Sequence, residues 1–420
     1  DQDDLFSARL LAPDEVRHAS FELTSGRAEV FCMSAMTMTV SAAAEIHQDL
    51  RGRWGGAAFT SICGGPHPSG DPESVLRGGV ALSAAPPPVA GSASVAGPAP
   101  GGGFDYACVG EGEDVIREVA LALARGETPD DVAGLFRLEA GEIKGRVRPE
   151  RVDLERCPAL PTRNRFPTHI EIGRGCHWGC AYCQTPGIHG RTERFRSLDS
   201  IEKVVDFYAR TGMEDYRFVL PNALGYASER PGEPNCEALS ALLERTRSKA
   251  RGGRIFLGSF PSEARPEYVT AEALRILKMH VANERLVIGG QSGSQRLLDE
   301  LKRGHSVEDI RRACDTAIEA GFKPAIDLVL GFPGETAEDR QLTFRLMEDL
   351  AGRGSRVNMH FFMPLPGTAL SEATPVFLSG HDRRVLDRLA QRGIVRGGWR
   401  RQEEFARIWV KRRRDKDHSR

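Results

Sequence analysis

The chain has 420 residues, with 57 Lys and Arg against 58 Asp and Glu, a formal net charge of -1 and 40% hydrophobic residues. So even a balance excludes a global field that would recruit nucleic acid or an anionic membrane, and no apolar run approaches the length of a bilayer-spanning helix. Nine cysteines, odd in number and thinly spread, exclude a disulfide scaffold and imply a reducing, cytoplasmic setting.

The length allows two domains, each with its own core. The acidic start Asp1-Gln2-Asp3-Asp4 is unlike a secretory signal. Because Asp1 is not methionine, the chain is expected to begin inside a longer one.

Residues 1–150 read as alternating strands and helices. The run Val30-Phe31-Cys32-Met33 predicts a first strand over 27–34, followed by an Ala-rich helical stretch over 37–50. A second strand over 57–63 ends in Gly64-Gly65-Pro66-His67-Pro68. A third, over 104–109, leads through Gly110-Glu111-Gly112-Glu113 into a helix over 114–125, with Val115, Ile116, Val119, Ala120 and Leu123 on one face. Strand, Gly-rich turn and helix in repetition predict an α/β domain, an open parallel sheet wound on both sides in the Rossmann manner. Residues 79–103 carry no charge and no periodicity, and read as a disordered insertion.

A connector follows. The segments 134–139 and 142–147 predict a small hairpin, and 151–167, with Cys157-Pro158-Ala159-Leu160-Pro161, an extended linker. From residue 168 the pattern becomes a regular strand-helix alternation. Strands are predicted over 168–172, 216–220, 254–258, 285–289, 324–330 and 356–363, with helical faces between them such as Ile201, Val204, Val205 and Tyr208. Six such units make a partial βα barrel over 168–375, whose active site belongs at the C-terminal strand ends. Residues 376–420 read as a basic helical extension, with Trp399 and Trp409 expected to pack it against the barrel.

The chemistry is concentrated just after the first barrel strand. Cys176, Cys180 and Cys183 stand at a C-x3-C-x2-C spacing in a loop with Gly173, Gly175 and Gly179. Three thiolates on one loop can hold three corners of a cubic 4Fe-4S cluster and leave the fourth iron without a protein ligand. The same residues would also suit a structural zinc site, with His177 or His189 completing a Cys3His set in a non-catalytic protein.

This spacing, with the aromatic Tyr182 just before the third cysteine, resembles the radical S-adenosylmethionine (radical SAM) superfamily. The resemblance implies that Cys176, Cys180 and Cys183 bind the cluster. It also implies that the fourth iron chelates S-adenosylmethionine, and that an electron from the cluster cleaves this to a 5'-deoxyadenosyl radical. It continues in Gly331-Phe332-Pro333-Gly334-Glu335-Thr336, similar to the family's adenine-contacting turn, although Thr336 and Asp339 would also cap a helix. Further parallels are Gly290-Gln291-Ser292-Gly293-Ser294, where relatives show Glu-Ser-Gly-Ser, then Lys302-Arg303-Gly304-His305, and Met363-Pro364-Leu365-Pro366-Gly367-Thr368. The family's Gly-Gly-Glu after the second strand is replaced by Pro221-Asn222-Ala223. The residues expected around S-adenosylmethionine are therefore Tyr182, Asn222, Ser259, Arg265, Gln291, Ser292, Gly331 and Pro333, with Glu263 beside them.

With residues 79–103 set aside, the first domain resembles the cobalamin-binding domain that precedes many radical SAM domains. The implied cobalamin contacts are Ser34, Gly64 and Gly65, a small hydroxyl and two residues that let backbone approach closely. The Asp-x-His-x-x-Gly motif of that family is absent. The expected function is a cobalamin-dependent radical methyltransferase acting on a small molecule or peptide, supplied with electrons by a flavodoxin or ferredoxin, and without a nucleic acid or membrane partner. The alternatives are a cobalamin-independent radical SAM enzyme that rearranges, cyclises or methylthiolates its substrate, and the zinc protein. Methylthiotransferases of the superfamily hold a second cluster through three N-terminal cysteines, for which Cys32, Cys63 and Cys108 are the candidates here.

Overall fold

The computed structural model describes residues 29–54, 59–78, 102–157 and 169–417, with side chains as far as Lys411. Most of the expected disordered insertion and most of the expected linker lie outside the described residues.

The first domain is a five-stranded sheet in the order β1 (Val30–Ser34), β2 (Thr60–Gly64), β3 (Tyr106–Cys108), β4 (Leu135–Glu139) and β5 (Glu142–Gly145). The first three strands are parallel, and β4 and β5 run antiparallel. The parallel core is the expected one, and an antiparallel hairpin extends it at the edge. The hairpin assigned to a connector pairs with β3, because Ala107 and Cys108 find partners in Phe136 and Leu135. Helix Val40–Trp54 covers one face, where Val40 and Ala43 meet Cys63 and Ala107. Helix Glu113–Ala124 covers the other through Val115 and Val119. Ile116, expected on its apolar face, is instead 37% exposed.

The second domain opens with β6 (Ile170–Glu171), which pairs parallel with β9 (Asp215–Val219), itself paired with β10 (Arg254–Phe256). Next come β11 (Arg285–Gln291), β12 (Lys323–Leu330), β13 (Arg356–Phe361) and a short β14 (Val395–Arg396), all parallel. A single parallel bridge, Ala264 to Ile288, joins the two groups. The result is the expected partial barrel with one more short strand than the sequence suggested. Its strands form because apolar residues dominate them: Pro324 to Leu328 of β12 are all buried, including the one polar interruption, Asp327, at 6% exposed. A two-stranded hairpin, β7 (Gly173–Arg174) with β8 (Arg194–Phe195), lies outside the barrel and brackets the cysteine loop.

The C-terminal helix Trp399–Asp417 is not a separate appendage. Trp399 and Ala406 are buried in the barrel core, while Phe405, Ile408 and Trp409 pack against the first domain. Trp409 also meets His67 edge-on at 5.7 Å. Among the described residues no helix is long and apolar enough to cross a membrane.

Candidate functional site

The β7–β8 hairpin closes the loop that carries the three cysteines. Inside it, Cys176 N–H donates to Gly190 O at 3.1 Å and Cys183 N–H to Cys180 O at 3.1 Å. Ala181 is tied to the barrel on both sides, its N–H to Leu301 O at 3.0 Å and its carbonyl to Leu370 N–H at 3.2 Å. Cys180 is buried, Cys176 and Cys183 half-buried, and none is in a disulfide. The two histidines of the zinc reading both face carboxylates: His177 Nδ1 lies 2.9 Å from Glu193 and His189 Nδ1 2.9 Å from Glu111. Among the described residues no three His, Cys, Asp or Glu side chains converge on a single metal ion. One zinc ion needs all its donors about 2 Å from one point, whereas a cubic cluster places its cysteines on three separate corners. The donor set fits the cluster.

Two arginines back this loop. Arg303 Nη1 reaches Cys180 Sγ at 3.5 Å and Tyr182 Oη at 3.1 Å, and its Nη2 donates to Gly289 O at 2.8 Å. Arg265 Nη1 lies 3.9 Å from the same sulfur, its guanidinium 3.9 Å above the Trp178 ring, with Glu267 at 2.5 Å. Both arginines are buried. Arg265, expected around S-adenosylmethionine, stands against the cysteine loop. Arg303 received no role in the sequence, although a basic residue directly after the exposed Lys302 was visible there.

The expected nucleoside contacts are distributed between site and scaffold. Asn222 Oδ1 accepts from Arg265 N–H at 3.1 Å, so this side chain positions the arginine. Ser292 is fully buried and accepts from Ser294 N–H at 3.1 Å, a scaffold role. Ser259 Oγ is buried without a hydrogen-bond partner, and so is Arg303 Nε. Gln291 sits at a bulge in β11 with φ 67°, buried beside Gly289. Tyr182 packs on Phe332 with ring centroids 5.5 Å apart, and burial raises its hydroxyl pKa. In the Gly331 to Thr336 turn, Gly331 N–H donates to Glu335 at 2.8 Å, and Thr336 with Asp339 forms a reciprocal cap on the next helix. Burial pushes Glu335 up to about 7. Pro333 lies in this same turn, so most of the motif's side-chain bonds are spent on its own shape.

Deeper in the barrel, Asp327 of β12 accepts from Asn358 Nδ2 at 2.7 Å and lies 3.8 Å from His360 Nε2. Burial and the neighbouring Asp327 raise the pKa of Glu263. These residues were not singled out apart from Glu263, but a lone aspartate in an apolar parallel strand was the available signal.

The first domain meets this site with the C-terminal ends of β1 and β2. Gln184 Nε2, one residue after the last cysteine, donates to Pro66 O at 2.9 Å and to Pro366 O at 2.8 Å. Next to it a cavity of about 320 Å³ is lined by Met36 and Met38 from the first domain and by Phe332, His360, Phe362 and Gln402. Ser34, at the end of β1, is exposed and paired in register with Gly64. A Cβ on Gly64 would meet Cys108 at 3.5 Å, an ordinary contact distance. Gly65 is held by its backbone, with φ 96° and room for no Cβ, which would fall 2.6 Å from Ser34 Oγ. His67 is buried, its ring nitrogens 3.2 Å from Thr37 Oγ1 and 2.9 Å from Ser74 Oγ. The exposed Ser34 hydroxyl and the two glycines stand together at the strand ends. Glu111 binds the domains together from the side, accepting from Arg194, His189 and Val152 N–H.

The three N-terminal cysteines do not share a face. Cys63 pairs in register with Met33 and Ala107, whereas Cys32 pairs with Ile62. Side chains alternate along a strand, so Cys63 points into the core under helix Val40–Trp54 while Cys108 points under helix Glu113–Ala124.

Residues 170–347 match the radical SAM superfamily. The chain is 30% identical over 247 residues to the tRNA-2-methylthio-N(6)-dimethylallyladenosine synthase of Chlorobium phaeobacteroides (strain BS1), covering 57% of this chain and 53% of that protein. It is 27% identical to the enzyme of the same description from Geobacter sulfurreducens, covering 66% and 57%. The chain thus spans about half the length of these curated relatives. In fold it is similar to the radical S-adenosylmethionine methyltransferase TsrM of Kitasatospora setae, solved with cobalamin and a [4Fe-4S] cluster, with a TM-score of 0.63, 15% identity and coverage of 83% of this chain and 64% of that one. The cobalamin-dependent S-adenosylmethionine radical enzyme OxsB gives a TM-score of 0.58 at 19% identity, covering 76% and 43%.

Proposed function

From a chain that carries a radical SAM domain at residues 170–347 behind a Rossmann-like domain, we propose a cobalamin-dependent radical methyltransferase of a small molecule or peptide. Cys176, Cys180 and Cys183 hold a 4Fe-4S cluster, and Ser259, Gln291 and the turn at Gly331 and Pro333 face S-adenosylmethionine. Ser34, Gly64 and Gly65 face cobalamin. When bound, the cluster and S-adenosylmethionine supply a carbon-centred radical and a methyl group, and cobalamin carries that methyl group. Electrons come from a flavodoxin or ferredoxin.

One observation carries this reading. The cysteine loop and the strand ends of the first domain meet at a single amide, Gln184, beside a cavity lined from both domains. The cavity walls are mostly apolar, which excludes water from a reactive intermediate, and Gln402 and His360 give them a polar edge. In this reading the cavity lined from both domains is the space next to the two cofactors.

Methylthiolation is favoured by the curated relatives, but it calls for a second cluster, and Cys63 faces away from Cys32 and Cys108. The test is anaerobic reconstitution with iron, sulfide and hydroxocobalamin, followed by desalting and metal analysis. Four irons and about one cobalt per chain are expected. Four irons without cobalt would overturn the cobalamin part, and about eight irons would favour methylthiolation.

A further inference from the structure

Arg303, which stands in the Lys302-Arg303-Gly304-His305 stretch without an assigned role, is a buried cation with no carboxylate in direct contact among the described residues. Arg303 is 7% exposed, yet among the described residues no carboxylate stands within ion-pair distance of it. Its neighbours are a carbonyl, a phenol and the sulfur of Cys180, and its Nε has no acceptor. A buried guanidinium without a counter-charge is costly, so native structures pair it. Lys302 takes a left-handed φ of 56° and stays exposed, which turns Arg303 inward. Arg265 approaches the same sulfur from the other side, but Glu267 at 2.5 Å offsets its charge. No arginine reaches Cys176 or Cys183 among the described residues.

We infer that Arg303, seconded by Arg265, is the built-in counter-charge of the cluster at its Cys180 corner and raises the cluster's reduction potential. The inference rests on the reading that this loop holds a 4Fe-4S cluster. An added electron places negative charge on the cluster and its ligand sulfurs. A positive group donating to one of those sulfurs in a dry surrounding favours the reduced form. Arg303 contributes most because no carboxylate pairs with it directly, Glu267 acting on it only from further away; Arg265 contributes less because Glu267 is its direct ion-pair partner. The electron comes from the external low-potential donor, and no bond is made or broken in this step.

The experiment uses the full chain, reconstituted anaerobically, with iron and sulfide counted before each titration. The midpoint potential is read from the electron paramagnetic resonance signal of the reduced cluster during a dithionite titration with mediators and no S-adenosylmethionine. Arg303→Gln is expected to retain four irons and to lower the potential so that the reduced fraction at fixed potential falls at least tenfold, which is 59 mV for a one-electron couple. Arg303→Lys should recover most of that shift, and Arg265→Gln should show a smaller fall. An Arg303→Gln protein with a full cluster at the wild-type potential overturns the inference, as does an Arg303→Lys protein as low as the glutamine variant. Loss of the cluster in both Arg303 variants would make the arginine a support for the loop and also overturn it. A wild-type chain that takes up no cluster defeats the underlying reading instead.

Discussion

The side-chain amide of Gln184 donates to the carbonyl of Pro66 at 2.9 Å, and it does so while also holding Pro366 at 2.8 Å. Three sequence features far apart in the chain therefore meet at one nitrogen: the Gly-Gly-Pro-His-Pro turn, the end of the cysteine loop and the Pro-Leu-Pro-Gly turn after β13. Because proline residues lack a backbone N–H and seldom sit in a regular ladder, their carbonyls need donor partners from elsewhere, and one amide that donates to two of them is a local constraint. It fixes the distance between the first domain's strand ends and the cysteines.

Gly70 reports on the same junction. A Cβ there would fall 2.2 Å from the Pro366 carbonyl carbon, which is backbone and cannot move aside alone. Gly70→Ala should cost about 1–3 kcal/mol through overpacking, and it should do so by loosening the domain contact. Denaturant melts followed separately by Trp fluorescence and far-UV circular dichroism should show the two transitions separating; coincident transitions at the wild-type midpoint would refute the tight contact.

Glu111 gives the junction a pH dependence. Burial by itself would raise this carboxyl, but hydrogen bonds from His189, Arg194 and the Val152 N–H outweigh it and hold the group well below its ordinary value of 4.5. A depressed carboxyl contributes stability that is present above the unfolded value and lost as pH falls through the folded one. Wild-type stability should therefore fall below about pH 4.5 more steeply than that of Glu111→Gln. Glu111→Ala should cost about 3–5 kcal/mol near neutrality because it strands Arg194 and its neighbours. Urea midpoints from pH 3 to 7 measure both, and parallel curves for wild type and glutamine variant would contradict the assignment.

How far the sequence revealed this site depends on how local each feature is. The cysteine spacing and the Thr336 to Asp339 cap were legible because their geometry is contained within a few residues. The strand-helix alternation of the barrel was legible for the same reason. Gln184, Arg303 and Asp327 were not, because their partners lie 118, 123 and 31 positions away and only the packing of strands brings them together. The role expected of Asn222 failed to separate from scaffolding because its Oδ1 is committed to Arg265 N–H, across 43 positions. Antiparallel β4 and β5 were read as a hairpin but left in a connector rather than joined to the sheet, since nothing in a hairpin's own residues says which edge it joins.

Glu263 predicts the opposite pH behaviour from Glu111. Burial first, then Asp327, pushes its carboxyl up to about 8. A raised carboxyl binds its proton more tightly in the folded state, so stability is full below the unfolded value of 4.5, declines as pH rises toward 8 and levels beyond. Replacing it with Gln, which keeps the shape and cannot ionise, should remove that decline. Comparing denaturant midpoints of wild type and Glu263→Gln between pH 5 and pH 8 checks it. If the difference between the two proteins does not change with pH, Glu263 is not the group that holds the proton.

The cysteines offer the most direct separation of the functional readings. Cys180→Ala removes the most buried of the three proposed ligands, the one that faces both arginines, so the reconstituted protein should lose most of its iron and sulfide. Cys63→Ala removes a thiol whose side chain lies in the core under helix Val40–Trp54, where only packing is at stake. It should keep four irons and change stability by no more than a small cavity would, about 1 kcal/mol. The two variants diverge because strand parity turns Cys63 away from the face shared by Cys32 and Cys108, and no rotamer of a side chain this short crosses a sheet. Iron analysis showing that Cys63→Ala loses half of an eight-iron complement would mean that the first domain holds a cluster of its own, and methylthiolation would then replace methyl transfer as the better account of the chain.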